Sequence, residues 1–520
     1  MSIKFLYDRQ KIAITYGEQK ISYADVIKYV NFYSDFLDIE KGDRSALMME
    51  NRPESIFSFF SIWARKGIAI SLDAGYTVDQ LAYVLGDSEP KYLFVSNKTK
   101  EVAEAANSKL NNAIKIINVD ELQMPADYKI KQEEFSNDSN EDVAVLVYTS
   151  GTTGNPKGVM ITYENIETNM AGVRAVDLVN ETDVILAMLP YHHIMPLCFT
   201  LILPMYLGVP IVLLTEISSA SLLKTLQENR VTVIVGVPRV WEMLDKAIMT
   251  KINQSSVAKF IFKLASKTNS MSIRKMLFSK VHKQFGGHIR LMVSGGAKID
   301  KNILEDFRTM GFRAIQGYGM TETAPIIAFN VPGRERSDSV GEVIPNVEVK
   351  IADDGEVLVK GKNVMKGYYK NEAATKEAFD AEGWFHTGDL GKMDGKYLII
   401  IGRKKEMIVL PNGKNIDPND IEAEIMKNTD LIKEIAVTEY NEQLVAIIYP
   451  DFEKLQAQQI VNIKDAIKWE VIDKYNVTAP NYKKIHDIKI IKQELPKTRL
   501  GKIRRFMLKD LLEDKVETSD

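Results

Sequence analysis

YTSGTTGNPKG, running from Tyr148 to Gly158, packs four Ser or Thr residues, three glycines and a lysine into one short stretch. Thr149, Ser150, Thr152 and Thr153 offer hydroxyl donors, and Lys157 adds a point charge. Gly151, Gly154 and Gly158 let backbone N–H groups come close to oxygen atoms. A loop so built suits phosphate. The apolar runs AVLVY before it and GVMIT after it read as strands, so the loop joins two strands. A Walker loop needs Gly, four residues, Gly-Lys, then Ser or Thr. Counted from Gly151, the second glycine position is Pro156, and Gly158 stands where the magnesium-binding hydroxyl belongs. The stretch is therefore a phosphate loop of another kind than that of P-loop kinases and ATPases. The alternative, an ordinary surface turn, rarely gathers so many donors beside a lysine.

Outward from this loop, short apolar runs alternate with helical segments. RSALMME, IAISLD and KYLFVSN read as strands, and PESIFSFFSIWARKG, with Pro53 in its first turn, reads as a helix. VTVIVGVP, IRLMVSGGA and FRAIQGYG continue the pattern. Such alternation predicts an α/β domain with mostly parallel sheets. The pattern changes near residue 400. One helix (PNDIEAEIMKN), a strand pair (IKEIAVTEY and EQLVAIIYP), another helix and a strand follow. They form a separate α+β unit of about 115 residues, an ordinary domain size. The expected domains are 1–402 and 403–520.

The bulk numbers exclude several classes. Hydrophobic residues at 45% and charged residues at 26% are ordinary for a globular protein. A net charge of −3 gives no electrostatic case for nucleic acid. The single cysteine, Cys198, forbids an internal disulfide and fits a reducing compartment. Six histidines without close ligand spacing argue against a structural metal site. His192 and His193 are neighbours, and adjacent residues on one element usually point apart. The N-terminus lacks the apolar core of a signal peptide. FTLILPMYLGVPIVLL, Phe199 to Leu214, is too short to span a bilayer and carries Pro204, Gly208 and Pro210. It reads as a buried helix followed by a buried strand. The expectation is a cytoplasmic protein whose membrane contact is at most peripheral.

Five further stretches combine with the loop. SGGAKI (Ser294–Ile299) ends a strand with close-approach glycines, and QGYGMTET (Gln316–Thr323) sets Tyr318 between two glycines and Glu322 at a helix start. GWFHTGDLG (Gly383–Gly391) places Asp389 at a tight turn. GRKKEMIVLPNGKNIDPNDIE (Gly402–Glu422) lies where the pattern changes, and LPKTRLGKIRR (Leu495–Arg505) carries Lys502. In this order they closely resemble the adenylate-forming superfamily of acyl-CoA synthetases, luciferases and peptide-synthetase adenylation domains, over essentially the whole chain.

That resemblance implies a large acyl-CoA synthetase-like α/β domain and a small mobile C-terminal domain. It implies ATP, Mg²⁺ and coenzyme A as cofactors. Residues Thr149 through Lys157 would hold the β- and γ-phosphates of ATP. Gly295, Gly296, Ala297 and Tyr318 would form the adenine site, within a nucleotide-binding run that also takes in Gln316, Gly317, Gly319 and Met320. Thr321 would contact the α-phosphate, and Glu322 would hold Mg²⁺. Asp389 and Arg403 would reach the ribose. Lys502 would serve adenylation, and Lys405 marks the hinge at 402–405. Gly413 lies in PNGKNI (Pro411–Ile416), the stretch beside the pantetheine channel. His193 belongs to LPYHHIMPL (Leu189–Leu197), which borders the acyl pocket.

The chemistry explains these residue types. A carboxylate attacks the α-phosphorus of ATP and pyrophosphate leaves, so positive charge must stand where negative charge builds up. The acyl-AMP then meets a thiol, and neither Ser nor Cys is needed as nucleophile. Taken singly, each residue has a plainer reading. Asp389 reads equally as a turn residue, Glu322 as a first-turn helix acid, and His192 and His193 as a packed pair. Lys502 reads as one of a solvated basic run with Lys497, Arg499, Arg504 and Arg505. GVPRVWEML (Gly236–Leu244) and PNGKNIDPNDIE resemble the long-chain fatty acyl-CoA synthetase branch. The expected substrate is a medium- or long-chain fatty acid. A separate carrier protein as acceptor, an aryl or other acid, and a non-catalytic nucleotide binder stay open.

Overall fold

The computed structural model describes residues 2–3, 10–132, 135–149, 156–216, 218–409, 415–497 and 503–513. The chain forms two compact units. The larger takes Met1–Lys350, Leu358–Thr387 and Met393–Ile399; the smaller takes Ile351–Val357, Gly388–Lys392 and Ile400–Asp520. The smaller unit is thus not contiguous in sequence.

One seven-stranded sheet of the larger unit carries the strands on either side of the opening loop. Its order is Gly367–Tyr368, Lys157–Thr162, Val143–Thr149, Ile68–Leu72, Arg44–Met48, Tyr92–Val95 and Lys115–Asn118. From Val143–Thr149 onward the neighbours are parallel, and Lys157–Thr162 runs antiparallel to both its partners. The middles of these strands are mostly apolar, as strands covered on both faces are, while polar residues such as Arg44, Lys115, Asn118 and Lys157 stand at their ends. Helix Val78–Ser88, begun by a Thr77–Gln80 capping box, buries Leu81, Val84 and Leu85 against the sheet. Pro53 stands at the first position of helix Pro53–Ala64, as its fixed φ favours.

In a second sheet, strands Ile12–Tyr16, Ile211–Leu213, Ile185–Ala187, Val233–Gly236, Leu291–Ser294 and Ala314–Gly319 are parallel in that spatial order. Past Gly319 the chain reverses and returns antiparallel as Ile326–Phe329. A Cβ on Gly319 would stand 1.7 Å from the Pro325 carbonyl oxygen, so this reversal accepts no side chain there. The reversal holds Glu322 in a single 3₁₀ turn, Thr321–Thr323, where the sequence predicts a helix start. The apolar run from Phe199 is buried as expected. It is a π-helix, Leu197–Ile202, running into helix Leu203–Leu207, which Gly208 ends at φ +67° before strand Ile211–Leu213. Among the described residues no helix is long and apolar enough to cross a membrane.

In the smaller unit, Ile432–Tyr440 pairs antiparallel with Gln443–Pro450, which runs parallel to Asp487–Ile490. Helix Pro418–Lys427 lays Ile421 and Ile425 on this sheet beside Ile435, Val437 and Ile448. Full burial of each such side chain contributes about 1.5–3 kcal/mol.

Candidate active site

Thr149 and Lys157 face each other across the antiparallel pair, so the loop between them leaves and re-enters the sheet at one point. Ser150, Gly151, Thr152, Thr153 and Gly154 lie outside the described residues. Below the loop, the Tyr148 hydroxyl donates to Asp87 Oδ2 at 2.5 Å. Lys157 places its ammonium 5.1 Å from the ring centroid of Tyr368. The hydroxyl of the same Tyr368 donates to Glu322 Oε1 at 2.9 Å. Burial, then the Glu322 charge, holds this phenol well above its ordinary pKa, so it stays a donor. The backbone repeats the connection. Met365 N–H donates to the Glu322 carbonyl at 2.8 Å, Lys366 N–H to that of Met160 at 3.0 Å and Tyr369 N–H to that of Gly158 at 2.7 Å. Lys157 and Glu322, far apart in sequence, thus meet on one residue that sequence reasoning missed. The only local signal is the Gly-Tyr-Tyr run at 367–369. Gly367 has φ +142°, and a Cβ there would lie 2.9 Å from Thr375 Cγ2.

The run from Gln316 to Met320 lies at the end of its strand. Both amide hydrogens of Gln316 are taken by the Ser337 and Ser339 carbonyls, at 3.1 and 2.9 Å, so this side chain braces the strand. Gly317 sits within the strand, opposite Phe329. Tyr318 and Thr321 are half-buried. Met320 N–H donates to the buried Thr323 hydroxyl at 3.1 Å, which fixes the turn carrying Glu322. Beside it, strand Leu291–Ser294 ends in Gly295, whose N–H donates to the Gly236 carbonyl at 3.1 Å. Gly296, at φ +83°, and Ala297 are exposed.

Apolar side chains crowd this loop from behind. Met195 Sδ would be 2.6 Å from a Cβ on Gly295, and Trp241 Cζ2 2.8 Å from one on Gly236. Glycine at both positions lets these side chains approach the backbone. His192 and His193 do not point apart: their rings lie 4.0 Å from centroid to centroid, because both belong to the loop before helix Ile194–Pro196 and not to one regular element. Burial lowers the His193 pKa against the opposing pull of Asp73, so its imidazole is neutral near pH 7. Cys198 is fully buried, and burial pushes its thiol far above the ordinary range, which leaves no thiolate for chemistry.

In the smaller unit Asp389 is buried and accepts from Arg403 Nε at 2.8 Å. It stands within strand Phe385–Asp394 and not at the predicted tight turn. The sharp conformation belongs to Gly388, at φ +69°, whose N–H donates to Glu356 Oε1 at 2.9 Å. Lys404 reaches Asp354 at 2.6 Å and Glu356 at 2.9 Å. Lys405 follows in the same 3₁₀ turn, Lys404–Glu406, and is exposed. Gly413 and Lys502 lie outside the described residues. The chain on either side of Lys502 is tied down. Lys497 pairs with Glu434, and Glu434 Oε2 also accepts Leu495 N–H at 2.9 Å. Arg505 grips Glu422 with two hydrogen bonds, at 2.9 and 2.8 Å, and donates to the Val437 carbonyl at 3.1 Å. The basic run, solvated on its plainer reading, is therefore anchored at Lys497 and Arg505, through two glutamates the sequence reading did not single out.

Among the described residues no three His, Cys, Asp or Glu side chains gather as a metal cage. Glu322 is a half-buried carboxylate held by the Tyr368 hydroxyl, over whose ring Lys157 lies. This donor set fits Mg²⁺, which keeps several waters and binds through one or two carboxylates together with substrate phosphates.

The AMP-binding enzyme family matches residues 7–369, and the AMP-binding enzyme C-terminal domain matches residues 405–519. The chain is 29% identical to long-chain-fatty-acid–CoA ligase FadD15 of Mycobacterium tuberculosis, over 83% of this chain and 76% of that one. It is 29% identical to fatty acyl-CoA synthetase A of Dictyostelium discoideum, over 81% and 70%. Among solved structures, the o-succinylbenzoate coenzyme A synthetase of Bacillus subtilis in complex with AMP superposes with a TM-score of 0.78 at 25% identity, covering 98% of this chain and 97% of that one. ATP-bound MatB of Rhodopseudomonas palustris shares the fold, with a TM-score of 0.78 at 23% identity over 99% and 100%.

Proposed function

Since this chain belongs to the AMP-binding enzyme family, we propose that it activates a medium- or long-chain fatty acid, first as acyl-AMP and then as acyl-CoA, with release of AMP and pyrophosphate. The coarser activity, AMP-forming acyl-CoA ligation with ATP, Mg²⁺ and coenzyme A, is that of the family and of the relatives. The observation that carries the finer reading is likeness over most of the chain to a ligase named for long-chain fatty acids and to a synthetase named for fatty acids. The uncharged, apolar crowding of Met195 and Trp241 behind Gly295 and Gly236 supports it, because such a wall suits an acyl chain.

In this reading Lys157 and the hydroxyls of the preceding loop bind the terminal phosphates. Thr321 contacts the α-phosphate. Glu322 holds Mg²⁺, which when bound offsets charge on the phosphates and on the leaving pyrophosphate. Tyr368 orients the Glu322 carboxylate and packs under the Lys157 ammonium. Tyr318 packs on adenine beside Gly295, Gly296 and Ala297, and Gln316 holds that strand in place. Asp389 accepts from the ribose hydroxyls while Arg403 orients it. Lys502, on a segment anchored by Lys497 and Arg505, stabilises the charge of the first step. The 402–405 hinge would then let Gly413 and its neighbours serve the thioester step. His193, neutral and half-buried, borders the acyl side and positions the acid.

A second reading, an aryl acid, is favoured by the likeness to the o-succinylbenzoate ligase. A panel of acids from acetate to stearate, with benzoate and o-succinylbenzoate, assayed for AMP release with coenzyme A decides between them. Highest kcat/KM for a fatty acid of eight or more carbons supports the first reading; preference for either aryl acid overturns it.

A further inference from the structure

Between Asp245 and Asp300 the chain holds eleven Lys or Arg residues and no Asp or Glu, in a protein whose overall net charge is −3. This stretch builds a cluster of helices in the larger unit: the end of Pro238–Asn253, then Ser256–Ser266, Met271–Leu277 and Ser279–Gln284. The core needs only one side of helix Ser256–Ser266. Ala265 is buried, and Ala258, Ile261 and Phe262 pack on the core, with Phe262 edge-on to Phe278. Yet Val257, Phe260 and Leu264, spaced to form one line on the outer side, are 68%, 67% and 49% exposed. Met276 on the next helix is 67% exposed. Monomeric proteins rarely leave apolar side chains gathered in this way without a partner. Lys259, Lys263 and Lys267 follow one another at intervals of four along the flank of that line, all exposed. None of the three has a salt-bridge partner among the described residues.

We propose that this face docks on an anionic phospholipid bilayer, with Val257, Phe260, Leu264 and Met276 entering the headgroup–acyl boundary and the lysines meeting lipid phosphates. An apolar stripe edged by lysine on an exposed helix is the pattern that lies in a membrane interface. Lysine near an anionic surface adds affinity residue by residue. A second copy of the chain fits less well, because a two-fold interface sets the same patch on itself and brings lysine against lysine. The docking surface stands on these observations whatever acid is activated. That the bilayer also supplies the acid rests on the proposed fatty-acid specificity, and vesicle binding is measured without substrate, so either can fail alone.

The test is sedimentation of the full chain with phosphatidylcholine vesicles and with mixed phosphatidylcholine–phosphatidylglycerol vesicles. The wild type should sediment with the mixed vesicles and only weakly with phosphatidylcholine. Lys259→Ser/Lys263→Ser/Lys267→Ser should lower partitioning roughly 100-fold at low salt. Phe260→Ser/Leu264→Ser should lower it roughly 10-fold or more. Both variants replace exposed side chains, so the melting temperature and ATP-dependent AMP release with a short, soluble acid should stay unchanged. Failure of the wild type to sediment overturns the proposal, as does unchanged partitioning of both variants. A lipid-free oligomer that Phe260→Ser/Leu264→Ser breaks would assign the face to a second copy. Tighter binding of tRNA than of mixed vesicles would assign it to nucleic acid. Either result overturns it as well.

Discussion

Glu322 in the larger unit and Glu422 in the smaller one are the same side chain put to opposite uses. Glu422 is buried, receives two hydrogen bonds from Arg505 and a third from the Val437 N–H at 2.6 Å, and its charge is spent inside the protein. Glu322 is half-buried and accepts from the neutral Tyr368 hydroxyl, which orients the carboxylate without cancelling its charge. A carboxylate saturated by a cation holds structure together. One held by a neutral donor keeps charge for something that arrives from outside. Asp389 lies between the two: buried like Glu422 and paired with a cation, yet the cation, Arg403, is itself 44% exposed.

The largest effect expected from this contrast is at the clamp. Glu422→Ala leaves the Arg505 guanidinium partly buried without its hydrogen-bonded carboxylate, only Glu406 remaining 3.9 Å away, which costs about 3–5 kcal/mol. Proteolysis should nick the smaller unit of this variant at far lower denaturant than in the wild type, and adenylation should fall with it because the Lys502 segment loses an anchor. An unchanged unfolding midpoint would show the pair to be incidental. Next comes Glu322→Gln, which keeps shape and hydrogen bonding but removes charge. Pyrophosphate exchange should drop about 10²–10³-fold, with a raised Mg²⁺ requirement and an unchanged melting temperature. Loss of stability in place of activity would make Glu322 another Glu422.

Asp389→Asn removes the charge opposite Arg403 and one acceptor proposed for ribose. ATP affinity should weaken by about 1–3 kcal/mol, read by calorimetry. If ATP binds as before, the pair is purely structural. Tyr368→Phe deletes a single hydroxyl and should cost about 1 kcal/mol, seen chiefly as a rightward shift of the Mg²⁺ titration. Equal rates across that titration would remove Tyr368 from the site.

The smallest effect is in pH. His282 is buried, stacks on Phe312 at 3.9 Å and bonds the Met310 carbonyl at 2.9 Å. Burial holds its pKa below the ordinary value, as it does for His193. Their neutral forms therefore favour the fold. That stability is complete above the unfolded value, about 6.5, and is lost as pH falls from there toward the folded value. The melting temperature should fall as pH drops below about 6.5, and His282→Phe should flatten part of that slope. A slope unaltered by the substitution would place the titration elsewhere.

Much of this was legible from the chain alone. Alternating apolar runs predicted the parallel sheets, because a strand covered on both faces must be apolar throughout. Local punctuation predicted a helix start, as at Pro53. The candidate phosphate loop and nucleotide motifs stand out as residue types, since hydroxyls, glycines and a lysine carry their chemistry in the sequence itself. What failed were local settings: the His192–His193 pair, whose rings meet in a loop, and two acids. Glu322 reads as a helix-start residue but lies in one 3₁₀ turn, because the sheet reverses at Gly319. Asp389 reads as a turn residue but lies in a strand, because Gly388 absorbs the sharp backbone conformation.

Sequence by itself determined the fold class, the family and the candidate nucleotide-site residues, all of which depend on short-range pattern and residue chemistry. Only the tertiary structure decided which charges are spent and which remain. Tyr368 meets Glu322 and Lys157 across 46 and more residues of chain, and Arg505 meets Glu422 across 83. Partners that distant leave no periodicity or spacing to read, because a hydrogen bond depends on where the fold brings two atoms and not on how many residues lie between them.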